Sequence, residues 1–71
     1  MKILLVDDNL SIVESLFQVL NEEGYQVVTA GDGLEALKIL HQHNFDLVLT
    51  DLNMPRLNGM DLVSEIRKMR N

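Results

Sequence analysis

Ile3-Leu4-Leu5-Val6-Asp7-Asp8-Asn9 is the stretch that decides the architecture. Four apolar residues in a row, without alternation, describe a strand buried on both faces, and the abrupt change to Asp-Asp-Asn describes one that ends in a polar loop. Downstream, apolar residues recur at Ile12, Val13, Leu16, Phe17, Val19 and Leu20, which predicts a helix over residues 10–23 with Gly24 as a left-handed stop. Residues 25–30 contain the β-branched run Val27-Val28-Thr29 and read as a second strand. Asp32 can cap a second helix whose apolar positions are Leu34, Ala36, Leu37, Ile39 and Leu40, ending near residues 41–44.

Residues 45–52 carry Leu47-Val48-Leu49-Thr50 between two aspartates, a third buried strand. Residues 53–59 form a loop, since Pro55 bars helix continuation and Asn58-Gly59 favours a turn. A last helix is predicted over about residues 60–69, with Leu62, Val63, Ile66 and Met69 as its inner stripe. The order β-α-β-α-β-α predicts an α/β fold: a parallel sheet with right-handed crossovers and helices on both faces.

The 71 residues, 46% hydrophobic and 24% charged, fit a single small domain over 1–71. A chain this short hides only about 60% of the surface it exposes when unfolded, so its stability is expected to be marginal. With no cysteine, neither a disulfide framework nor a thiolate zinc site is available. The net charge of −5 disfavours a nucleic-acid backbone as partner. Arg67, Lys68 and Arg70 cluster late, but they fall in the last turn of the third helix, where cations face the negative end of its dipole. The apolar runs at residues 3–6 and 47–49 are far below the roughly 20 residues that span a bilayer. No signal-like cleavage pattern follows Met1-Lys2, so a soluble, cytoplasmic protein is expected.

In a parallel α/β sheet, ligands bind beyond the carboxyl ends of the strands, where the strand order reverses. Asp7 and Asp8 follow the first strand and Asp51 ends the third, so neighbouring strands would bring all three to one mouth. Converging carboxylates raise one another's pKa unless a cation offsets them, and hard oxygen ligands with positions left for water suit Mg²⁺ better than zinc. The plainer reading is that Asp7 and Asp8 cap the first helix and Asp51 caps a turn.

The longer string is more specific. Asp7-Asp8, then Asp51 with Met54-Pro55 and Gly59 at these spacings, resembles the N-terminal half of the two-component response-regulator receiver family. Gly31-Asp32-Gly33 followed by Glu35-Ala36-Leu37 is also similar to that family's second helix. The resemblance implies a CheY-like, flavodoxin-like fold truncated to a (βα)3 unit with strand order 2-1-3. It makes Asp51 the acceptor of a phosphoryl group from a histidine kinase's phosphohistidine. Asp8 would ligate Mg²⁺ directly, Asp7 through water or as a second ligand, and Asn53 through its backbone carbonyl, with Pro55 and Gly59 shaping that loop. A complete receiver continues for two strand-helix units that hold a Ser or Thr hydroxyl and a Lys; these 71 residues lack them, which implies impaired phosphotransfer and no enzymatic activity of the chain's own.

Two rivals remain: a non-catalytic structural or self-assembly module, and another Asp-dependent phosphotransferase or phosphatase, which would not need the Met54-Pro55 to Gly59 loop. His41 and His43 read as solvated residues at a helix end, and Ser11, Ser15 and Ser64 have no neighbouring base. With strand order 2-1-3 the third strand becomes an edge with apolar residues on both sides. A homodimer paired through that edge is expected, with Leu34 and Ile39 adding contact area.

Overall fold

The computed structural model describes residues 1–51 and 59–69. Its elements are β1 (Lys2–Val6), α1 (Leu10–Glu22), β2 (Gln26–Ala30), α2 (Gly33–Gln42), β3 (Leu47–Thr50) and α3 (Gly59–Met69). The strands form one parallel sheet in the order β2-β1-β3, as the alternation of strands and helices predicts.

β1 is the centre of this sheet. Leu4 pairs with Val28 on one side and Val48 on the other, and Ile3 to Val6 are all at most 2% exposed. Alternation splits these residues between the two faces. Leu4 and Val6 join Ala30, Ala36 of α2 and the fully buried Leu62 of α3 in the main core. Leu5 faces the opposite side, where it lines a cavity with Leu49 and with Ile12 and Leu16 of α1. α1 therefore covers one face, and α2 with α3 the other.

Local signals fix the helix ends. Asn9 caps α1, its side-chain oxygen accepting from the Ile12 N–H at 3.3 Å. At the other end Gly24 adopts φ +93°, the Gly24 N–H donates to Asn21 O and the Tyr25 N–H donates to Leu20 O, the paired bonds of a Schellman stop. Asp32 caps α2 by accepting from the Glu35 N–H at 2.8 Å, while the Glu35 carboxylate accepts from the Gly31 N–H at 3.0 Å.

β3 is shorter than residues 45–52 suggest. Asp46 is occupied at the foot of the sheet: its carboxylate accepts from the Lys2 N–H at 2.7 Å and its own N–H donates to Lys2 O at 2.8 Å. Phe45 packs against the core and lies beneath the Lys2 ammonium, 5.0 Å from the ring centre. Ile39 also packs against the core rather than standing free for a partner, whereas Leu34 is exposed.

Helix α1 carries the apolar stripe read from its periodicity, yet none of its side chains is fully buried. Ile12, Leu16, Phe17 and Val19 are 38–55% exposed. Leu47 and Leu49, at 42% and 36%, are exposed beside them, and among the described residues no strand pairs with the outer edge of β3.

A chain of this size holds roughly 4–10 kcal/mol of stability, from about 0.05–0.15 kcal/mol per residue. Leu4→Ala should cost about 2–5 kcal/mol, a large share of the total, and lower the urea midpoint accordingly, whereas Leu10→Ala, at a position 73% exposed, should change stability by less than about 0.5 kcal/mol. Circular dichroism during urea titration measures both; equal effects would mean that β1 is not the core.

Candidate functional site

The site follows from strand register. Thr50 is the register partner of Val6, so the next residues, Asp51 and Asp7, leave their strands side by side. Two backbone bonds carry the ladder one step beyond the strands: the Asp51 N–H donates to Val6 O at 3.1 Å, and the Asp7 N–H donates to Ala30 O at 3.2 Å. Both aspartates are thereby held at the carboxyl ends of adjacent strands, half-buried. Asp8 follows directly in the loop and is exposed. Asp7, Asp8 and Asp51 each present a carboxylate oxygen within 4.8 Å of the others.

The plainer capping role is not what Asp7 and Asp8 perform. Asn9 is the cap of α1, and Asp7 supports that cap by accepting from the Asn9 N–H at 2.9 Å. That bond uses Oδ1 of Asp7 and orients the carboxylate at the mouth. Thr50 is tied locally, its hydroxyl donating to Asp51 O at 3.1 Å.

The donor set fits a small hard cation. Three carboxylates offer hard oxygen ligands that converge within 4.8 Å, and the exposed Asp8 leaves one side open to water. The same cavity, of about 450 Å³, runs from Asp7 and Asp51 down between α1 and β3, lined by Leu5, Ile12, Leu16 and Leu49. Asn53, whose carbonyl was expected to complete the set, lies outside the described residues with Met54 and Pro55. Gly59 opens α3, one residue earlier than its predicted start.

His41 and His43 are exposed, at the last turn and the C-cap of α2, as solvated helix-end residues should be. Ser11, Ser15 and Ser64 are likewise exposed. Sequence reading missed the link between mouth and helix: nothing in an Asp-Asp-Asn string says which residue caps and which supports.

The model of the response regulator receiver domain matches residues 3–71. The chain belongs to that family. It is 49% identical over 70 residues to the transcriptional regulatory protein CpxR homolog of Haemophilus influenzae, covering 99% of this chain and 30% of that protein. Against the transcriptional regulatory protein GlrR of Escherichia coli the identity is 44% over 68 residues, covering 96% of this chain and 15% of the relative.

Among solved structures, the response regulator TrrA of Thermotoga maritima, in complex with Mg(2+)-BeF, superimposes with a TM-score of 0.92 at 46% identity, over 97% of this chain and 60% of that one. The Vibrio cholerae chemotaxis protein CheY4 gives 0.92 at 40% identity, over 96% and 57%. TrrA has also been solved in complex with the histidine kinase ThkA. The receiver chain described here thus spans somewhat over half of these solved chains and less than a third of the two curated relatives.

Like charges this close disfavour one another, on the order of 1 kcal/mol per pair at 4 Å in bulk water. Asp51→Asn keeps the backbone bond to Val6 and removes one charge, so it should raise the melting temperature in the absence of divalent ions. A lower melting temperature, by scanning calorimetry in chelator, would show that the Asp51 carboxylate holds the loop together.

Proposed function

We propose that this chain is the acceptor portion of a two-component receiver, with Asp51 taking a phosphoryl group from a histidine kinase and Asp7, Asp8 and Asp51 holding Mg²⁺ with the Asn53 carbonyl. The observation that carries this reading is the placement of Asp51 beside Asp7 at the ends of paired strands, with Asp8 within the same 4.8 Å group. Bound Mg²⁺ would supply charge compensation for the oxygens of the transferring group. The chain's own part is positional. β1 and β3 present the Asp51 carboxylate at the open end of the sheet, and the Asp7–Asn9 bond fixes its neighbour. TrrA, solved with Mg(2+)-BeF and with a histidine kinase, supports the cation and the class of donor. The role is that of a signalling acceptor rather than an enzyme, in the cytoplasm; no helix among the described residues is long and apolar enough to cross a membrane.

Phosphotransfer by these 71 residues alone should be slow, because the hydroxyl and lysine that the family pattern places later in the chain are not among them. Each missing donor could cost roughly 10² to 10³ in rate if it behaves like a lost oxyanion contact. Millimolar Mg²⁺ should raise the melting temperature, by roughly 2.7 kcal/mol of stability at a hundredfold excess over Kd. Incubation with acetyl phosphate and Mg²⁺ should add one phosphoryl mass slowly, and none in Asp51→Asn. Labelling that persists in the variant, or a melting temperature indifferent to Mg²⁺, would refute the assignment.

The alternative is a structural module that assembles with itself, and the exposed outer edge of β3 favours a homodimer under either reading. Two such edges would pair antiparallel across a twofold axis, giving a six-stranded sheet. The alternative dimer stacks the two under-covered faces through α1, where Ile12, Leu16, Phe17 and Val19 are 38–55% exposed. Val48→Lys should convert the dimer to monomer in sedimentation equilibrium at micromolar concentration; a wild-type chain that is already a stable, folded monomer would dispose of the dimer.

A further inference from the structure

A single peptide unit ties α2 to the acidic mouth. Its carbonyl, Ala30 O, accepts from the Asp7 N–H at 3.2 Å, and its amide, the Gly31 N–H, donates to the Glu35 carboxylate at 3.0 Å. Ala30 ends β2 and packs in the main core at 3% exposure, so its Cα is pinned. What remains free there is rotation of the peptide plane about the line joining the Ala30 and Gly31 Cα atoms. A peptide is planar, and its C=O and N–H turn together. An acceptor that fixes the direction of the Gly31 N–H therefore also fixes the direction of the Ala30 carbonyl, and with it the bond to Asp7. Little else restrains the turn at Gly31: beyond its chain neighbours, a Cβ placed there would meet, among the described residues, Glu35 Oε2 at 3.5 Å. Asp32, by accepting from the Glu35 N–H at 2.8 Å, sets where the Glu35 side chain starts.

We infer that Glu35 is a positioning residue for the acidic mouth, holding Asp7 through the Ala30–Gly31 peptide although it belongs to α2 and lies outside the group of Asp7, Asp8 and Asp51. Its effect on cation affinity rests on the Mg²⁺ reading proposed above; its effect on the Asp7 backbone does not. The two half-buried aspartates respond differently. The Asp51 N–H is held by Val6 O of β1, whereas the Asp7 N–H is held by Ala30 O of β2, so a turn of the Ala30–Gly31 peptide reaches Asp7 and leaves the Asp51 bond in place. A carboxylate acceptor makes the Gly31 tie charge-assisted and strong. The position of the acceptor is what matters for Asp7, and a glutamine amide oxygen can occupy the same place in a capping box. Glu35 is exposed, so its charge acts on the mouth only weakly at physiological salt.

Amide exchange by NMR in chelator, followed by Mg²⁺ titration of the same spectra, tests this on the full chain. In Glu35→Ala the Asp7 amide should lose at least tenfold in protection relative to the Asp51 amide, and the Mg²⁺ Kd should rise at least threefold. Glu35→Gln, which keeps the acceptor without the charge, should hold both within twofold of wild type. Lys38→Gly, exposed in the middle of α2, weakens that helix through lost propensity alone and should leave the ratio and Kd unchanged. Any of four results overturns the inference: a wild-type ratio in Glu35→Ala, Glu35→Gln behaving as Glu35→Ala does, Lys38→Gly lowering the ratio as far, or a Kd that stays put although the ratio falls. A wild-type spectrum indifferent to Mg²⁺ overturns the cation reading instead, and the exchange ratio in chelator then decides the role of Glu35 by itself.

Discussion

Everything in this molecule hangs on β1 being paired along both edges and covered on both faces. A parallel strand in that position must satisfy its backbone through neighbours that are distant in sequence, so β2 and β3 are brought to it by crossovers that place the helices. Leu4 and Val6 then anchor α2 and α3 from one face, while Leu5 supports α1 from the other. With such a small core, the sheet's centre has to be nearly complete, and the periphery carries the deficit.

The acidic site is a by-product of that same pairing carried one residue further. Asp7 and Asp51 are adjacent because Val6 and Thr50 are, and their amides continue the ladder to Ala30 and Val6. The register fixes where the two aspartates leave the sheet, and a cation bound there would offset charges that otherwise repel. That is the arrangement in which a divalent ion or a change of charge at one aspartate has the greatest leverage.

Much of this was legible beforehand. The unbroken run at residues 3–6, the Gly24 stop and the Asp32 cap are local signals, and each has the predicted geometry. The convergence of Asp7, Asp8 and Asp51 was legible because parallel topology leaves few choices for where strand ends meet. Other features depended on long-range contacts. Asp46 leaves the strand to bind Lys2, 44 positions away, and nothing local announces that. Periodicity in α1 reported which side is apolar but not how far it would be covered, since coverage is a property of neighbours. Ile39 similarly found a place in the core that its position on the helix stripe did not guarantee.

The sparse coverage of α1 has a dynamic consequence. A helix that packs on the sheet without a fully buried side chain belongs to the low end of the local-unfolding spectrum, while β1 sets the high end. Its amides should exchange with solvent through openings that leave the sheet intact. Because the Asn9 N–H is held by the Asp7 carboxylate, fraying of the first helical turn also releases one wall of the acidic mouth. Helix opening and site geometry are thus one fluctuation, and whatever slows the first steadies the second.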